Sequence, residues 1–228
     1  MNKKQKVAQT MEEQLNEIRA GVLGSNDGIL TVVGVLFSVG AATNNQFTII
    51  IAGIADLMAC ALSMASGEYA SVSSQADAEK VVVDQETQRL LVNPSGVQAD
   101  IRAFYVDKGV TVQTADEIAH ELMVKQPLKT IVAVKYDVQL GHYVSPWSAA
   151  ISSLICAAIG GAFPLLAMVL APVQWQFQAT IAATAVAVSL TGYASAVLGH
   201  GFPKTAIIRN VIIGMLTIAI HYGIGRLF

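Results

Sequence analysis

Five apolar runs dominate this sequence, and their lengths leave few ways to fold it. They cover about residues 20–43, 47–70, 147–171, 176–198 and 204–227. Each is long enough to cross a hydrocarbon core of about 30 Å as a helix. In lipid a spanning segment must satisfy its backbone hydrogen bonds internally, so helices are expected throughout. Composition agrees: 54% of the residues are hydrophobic and only 13% are charged, against about 25% charged in soluble domains. The predicted fold class is an all-α membrane protein with five transmembrane helices.

Lysine and arginine set the expected orientation. Lys3, Lys4, Lys6 and Arg19 precede the first span, seven more lie between spans two and three, and Lys204 and Arg209 flank the start of span five. With the N-terminus in the cytoplasm, 13 of the 14 basic residues fall on the cytoplasmic side, leaving Arg226 beyond. Trp147 and Trp175 then stand where interfacial aromatics belong. The opening MNKKQKVAQTMEEQ lacks the pattern of a cleaved signal peptide, so the first span is expected to direct insertion itself. Cys60 and Cys156 lie in apolar runs, which argues against a disulfide framework.

Four regions are expected: an amphipathic N-terminal helix (1–19), spans one and two (20–72), a cytoplasmic helical insert (73–145) and spans three to five (146–228). In the first, Met11, Leu15, Ile18 and Val22 form an apolar stripe suited to a membrane surface. The insert is read as helices over about 75–92 and 97–108, the second stopped by Gly109. A third opens at Thr114, whose spacing from Glu117 fits a capping box, and a further piece follows Pro127.

Within the apolar runs, acidic residues are the anomaly. Asp27 stands inside GVLGSNDGILTVVGVLFSVGAA. It is read either as an intramembrane carboxylate or as an interfacial cap. Length favours the first, since the 15 residues from Gly28 to Ala42 span only about 22 Å. In span two, Asp56, Cys60, Met64 and Glu68 recur every four residues and share one stripe. Carboxylate oxygens suit Mn²⁺ and Fe²⁺, and sulfur favours softer ions over Mg²⁺. The plainer reading makes Cys60 a small hydrophobe, Met64 a filler and Glu68 an interfacial acid. Gly21, Gly24 and Gly28 fit a close helix–helix contact, within a dimer or beside an ion.

Other chemistries find little support. Ser195 and His200 lack anything that fixes a nucleophile and base, and no phosphate-binding glycine loop occurs. His142, His200 and His221 fall near span ends and read as interfacial. The paired Glu-x-x-His ligands of a di-iron oxidase are absent. No enzyme activity, fixed cofactor or nucleic-acid partner is expected.

Four stretches together resemble a known family: GVLGSNDGILTVVGVLFSVGAA, GIADLMACALSMASGEYASVSSQADAEK, PWSAAISSLICAAIGGAFPLLA and LTGYASAVLGH. They are similar to the vacuolar iron transporter family, over nearly the whole chain. The resemblance implies a five-span homodimer that exchanges Fe²⁺ or Mn²⁺ for protons. It implies that Asp27, Asp56 and Met64 line the translocation path, to which Glu68 is added from the span-two stripe. The family's insert gathers metal through glutamates; Glu86 stands where one is expected, and Asp100 and Asp137 look like shortened replacements. Arg89, Val97 and Gln139 fall near other expected glutamates, a departure that predicts weak metal binding in the insert. The expected partners are therefore the bilayer, divalent metal ions, protons and a second copy. The expected location is a prokaryotic cell membrane, or a vacuolar membrane in a eukaryote, with the C-terminus on the far side. The rival expectation is a sensing or assembly module with a vestigial path.

Overall fold

The computed structural model describes residues 11–141 and 145–227, with side chains from Leu15 onward. Its regular elements are eight helices: α1 (Met11–Ala42), α2 (Gln46–Val92), α3 (Pro94–Asp107), α4 (Val112–Lys125), α5 (Pro127–Tyr136), α6 (Pro146–Leu170), α7 (Gln176–Leu198) and α8 (Pro203–Gly225). Five of them, α1, α2, α6, α7 and α8, are long and apolar enough to cross a membrane. The chain divides into a membrane unit, Met1–Ser71 with Ser145–Phe228, and a second unit, Val72–Val144.

Three local readings change. From Met11 onward the N-terminal stripe is continuous with the first span as α1; Lys3, Lys4, Lys6 and the side chains of Met11, Glu12 and Glu13 lie outside the described residues. The second span and the helix expected from residue 75 are likewise one 47-residue helix, α2. The intervening Ser71-Val72-Ser73-Ser74 contains neither glycine nor proline, and nothing else there breaks a helix. The capping box expected at Thr114 is displaced. Thr111 is the N-cap of α4, and its side chain accepts from the Thr114 N–H at 3.4 Å.

In the membrane unit α1 is the axis. Ile29, Val32, Val33, Leu36 and Phe37 are almost wholly buried, and they point in several directions, as expected of a helix apolar all round. Val32 and Leu36 pack with Ile49 of α2 and Leu165 and Met168 of α6. Ile29 packs with Ala187 and Val188 of α7, and Val33 and Phe37 with Ile218 of α8. The glycines of α1 serve this packing. A Cβ on Gly24 would come within 2.6 Å of the Ser153 carbonyl oxygen, and one on Gly28 would strike that of Ala157. Their partner is α6 of the same chain. Trp147, near the start of α6, meets the Tyr69 ring at a tilt of 59° with centroids 4.9 Å apart, and both it and Trp175 are exposed.

The second unit has its own core of Val97, Ile101, Ala119, Ile131, Val132 and Val138. Asn93 caps α3 by accepting from the Gly96 N–H at 2.9 Å, with Pro94 in the first turn. Gly109, at φ 90°, follows the end of α3, where a left-handed residue lets the chain leave the helix. Asp137 takes the corresponding left-handed conformation at the end of α5.

Candidate functional site

Gly24 and Gly28 turn one side of α1 to α6, which leaves Asp27, Thr31 and Gly34 along a neighbouring side at helical spacing. Opposite them runs the stripe of α2. Cys60 Sγ donates to Asp27 Oδ2 at 3.5 Å. One turn earlier on α2, Asp56 lies within electrostatic reach of Asp27, and Thr31 adjoins both Asp56 and Cys60. Among the described residues, Asp56 Oδ2 and Thr31 Oγ1 nonetheless find no hydrogen bond of ordinary geometry, and both atoms are buried. Leaving a buried polar group unsatisfied costs about 1–3 kcal/mol, and more when it is charged. Such a pair therefore marks a place where a carboxylate meets a proton, a cation or water.

The other end of the stripe is differently arranged. Glu68 is only 6% exposed, and its Oε2 accepts from Arg19 Nη2 at 3.2 Å. Arg19 is held in turn by Asn16 Oδ1, which accepts from Nε at 3.3 Å and from Nη2 at 3.2 Å. Glu68 is thus neutralised by α1. Met64 is half-buried between Cys60 and Glu68 in the helix sequence.

His221 departs from its interfacial reading. Its ring lies so close to Gly34 that a Cβ there would stand 2.8 Å from it. Its Nδ1 lies 2.9 Å from the Thr217 carbonyl oxygen, and its own carbonyl accepts from Ser38 Oγ at 3.0 Å. The imidazole is also within electrostatic reach of Asp56. His200, by contrast, is exposed just beyond α7, and His142 lies outside the described residues.

In the second unit, Glu86 and Asp100 do come together, but around cations of the chain itself. Glu86 is 2% exposed. Its Oε1 accepts from Lys135 Nζ and from the Tyr136 hydroxyl, each at 3.0 Å, and its Oε2 lies 3.4 Å from Arg89 Nη1. The same Arg89 nitrogen lies 2.5 Å from Asp100 Oδ2, and Lys135 is 3.8 Å from that oxygen. Burial raises the Glu86 pKa, but the hydrogen bonds from Lys135 and Tyr136 and the two positive charges outweigh it, holding the carboxyl below its ordinary value. The hydrogen bond to Glu86 leads the effects that raise the Lys135 pKa. Asp137 stands apart as the exposed, left-handed residue that ends α5.

Among the described residues, no three of His, Cys, Asp and Glu converge closely enough to hold a metal ion. Of the anticipated path residues, Asp27 and Asp56 are brought together, while Glu68 is bound to Arg19. Thr31 and the position of His221 were not legible as site features. The signals were slight: Thr31 follows Asp27 by one turn, and Gly34 leaves room on an apolar helix for a ring from elsewhere.

A sequence model of the VIT family matches residues 18–226. The chain is 33% identical over 211 residues to a protein of Acanthamoeba castellanii named vacuolar iron transporter, covering 92% of this chain and 78% of that one. It is 30% identical over 212 residues to vacuolar iron transporter homolog 1 of Oryza sativa subsp. japonica, covering 92% and 73%. Vacuolar iron transporter homolog 3 of Arabidopsis thaliana is 29% identical over 228 residues, covering 100% of this chain and 90% of that one. With the family match running from α1 to α8, this chain belongs to the VIT family.

Proposed function

We propose that this protein carries Fe²⁺ or Mn²⁺ across a membrane in exchange for protons, along the side of α1 that faces α2. The observation that carries the proposal is the buried Asp56 Oδ2, without a hydrogen-bond partner among the described residues, beside Asp27, Cys60 and Thr31. Packing alone gives no reason to place two half-buried carboxylates side by side in a membrane unit, where each is costly unless paired or hydrated. The names of the relatives supply the substrate class, since they are called vacuolar iron transporters.

In this reading Asp27 and Asp56 alternate between proton and metal. A ligating carboxylate must be deprotonated, so an arriving ion displaces protons, and reprotonation from the opposite side releases it. Two carboxylates form a station an ion can leave, which suits transport better than storage. Cys60 and Met64 add sulfur that Mg²⁺ prefers to avoid. Glu68 stands nearer the cytoplasmic end, where its pairing with Arg19 closes the entrance until an arriving cation replaces the guanidinium. The insert faces the cytoplasm, so transport runs outward or into a compartment, and a second copy completes the assembly.

The test is uptake of Fe²⁺ or Mn²⁺ into liposomes containing only this protein. Asp27→Asn and Asp56→Asn should each lower the rate at least about 10-fold, because a transported ion loses a charged ligand worth more than about 1.4 kcal/mol. Expression, elution volume and helix content should be unchanged. Near-normal uptake by both variants would remove the path from this side of α1.

A further inference from the structure

Away from the carboxylates, α1, α7 and α8 enclose a groove of about 470 Å³ in the membrane unit. Arg19, Asn26, Ser195, Arg209 and Asn210 form its polar lining, and Ile18, Val22 and Ile213 are among its apolar residues. Among the described residues, no carboxylate lines it. Arg19 spends Nε and Nη2 on Asn16 and Glu68, which leaves Nη1 outside those bonds. Arg209 has no ion-pair partner among the described residues. It stands six residues into α8, or about 9 Å along the helix.

We infer that this groove holds one anionic phospholipid, its phosphate between Arg19 and Arg209 and an acyl chain along Ile18, Val22 and Ile213. A guanidinium is always charged and presents a fork of donors that matches a phosphate. Arg209 stands on a spanning helix without an ion-pair partner among the described residues, and it calls for an anion from outside the protein. Arg19 is paired with Glu68 through Nη2 and has Nη1 left to share. Asn26 and Asn210 supply side-chain amides that can donate to the remaining oxygens. The apolar wall decides the source: inorganic phosphate would leave it uncovered, whereas a lipid covers it with hydrocarbon. The charge decides the headgroup. A choline group would bring a cation toward two arginines, and a net-negative headgroup would not. Basic pockets between spanning helices are a known setting for such lipids.

The test uses the full chain in detergent micelles, with thermal unfolding as the readout and no dependence on transport. Phosphatidylglycerol should raise the unfolding midpoint by about 3 °C or more beyond an equal mole fraction of phosphatidylcholine, because a ligand bound only to the folded state stabilises it. Arg209→Gln should abolish that difference, and Arg19→Gln, made separately, should abolish most of it. If one variant fails to fold, the other decides the matter. Arg226→Gln, outside the groove, should keep the full difference. Equal shifts from the two lipids in the unaltered protein would overturn the proposal. So would an unchanged preference in the foldable groove variants, or an equal shift from inorganic phosphate.

Discussion

Asp27 shows at the scale of one residue why the sequence left two readings open. As an N-cap its oxygen would accept from the backbone near Gly28–Leu30; instead it accepts from Cys60 on another helix, with α1 already more than four turns long. The acid was legible because charge in an apolar run is conspicuous. Thr31 was not, because a threonine is unremarkable on a helix that buries valine and isoleucine. The glycines sharpen the same point. Gly28 and Gly67 look alike in sequence, but a Cβ at Gly28 strikes the Ala157 carbonyl, whereas one at Gly67 meets nothing within 4 Å. Gly28→Ala should therefore destabilise the folded protein by about 1–3 kcal/mol through overpacking. Gly67→Ala should stabilise it by about 0.5–1 kcal/mol through helix propensity. Unfolding of the two variants in one detergent checks the pair, and equal effects would show that the α1–α6 contact is not tight.

At the scale of elements, length and hydropathy made the spans legible, and caps and left-handed residues mark the ends of the shorter helices. The joins were less legible. A serine-rich stretch carried α2 straight through, and Thr111 took the cap that Thr114 also offered. The cluster of α2, α3 and α5 was hidden for a different reason: Arg89, Asp100 and Lys135 are charged residues of ordinary spacing, and only the fold brings them to Glu86. Their ion pairs predict a signed pH effect. Glu86 titrates below its ordinary value when folded, so its pairing contributes stability above the usual carboxylate range and loses it as pH falls through the depressed value. Lys135 titrates above its ordinary value, so its share is lost only in strong alkali. Lys135→Gln should thus cost stability at pH 7, about 1–2 kcal/mol after allowing for the 39% exposure of the lysine side chain. The difference from the unaltered protein should shrink in acid, as pH falls through the depressed value at which Glu86 takes up its proton. Hydrogen exchange along α3 and α5 in the full chain reads this directly; a difference that grows in acid would contradict the assignment. Because Glu86 and Asp100 already have cations and Asp137 stands apart from them, replacing Glu86, Asp100 and Asp137 together by alanine should loosen the second unit and change uptake at saturating metal less than about twofold.

At the scale of the whole molecule, the proposed exchange makes a demand that no single residue makes. If two carboxylates each give up a proton when a divalent ion arrives, one turnover moves two protons against one ion and leaves no net charge. Each proton crossing one pH unit releases about 1.4 kcal/mol, a tenfold factor in concentration. Two protons therefore permit up to about 100-fold accumulation of Fe²⁺ or Mn²⁺ on the acidic side of a sealed vesicle for a gradient of one unit. The gradient should drive uptake against the metal's own gradient, and a protonophore should abolish that drive without stopping downhill movement. Removing one proton carrier should show in the limit as well as the rate: Asp56→Asn, where any uptake survives, should reach about 10-fold or less. Vesicles with an imposed pH step and a metal-sensitive dye in the lumen measure both quantities. If accumulation is indifferent to the step, Asp27 and Asp56 conduct metal without exchanging it for protons, and the protein works as a channel.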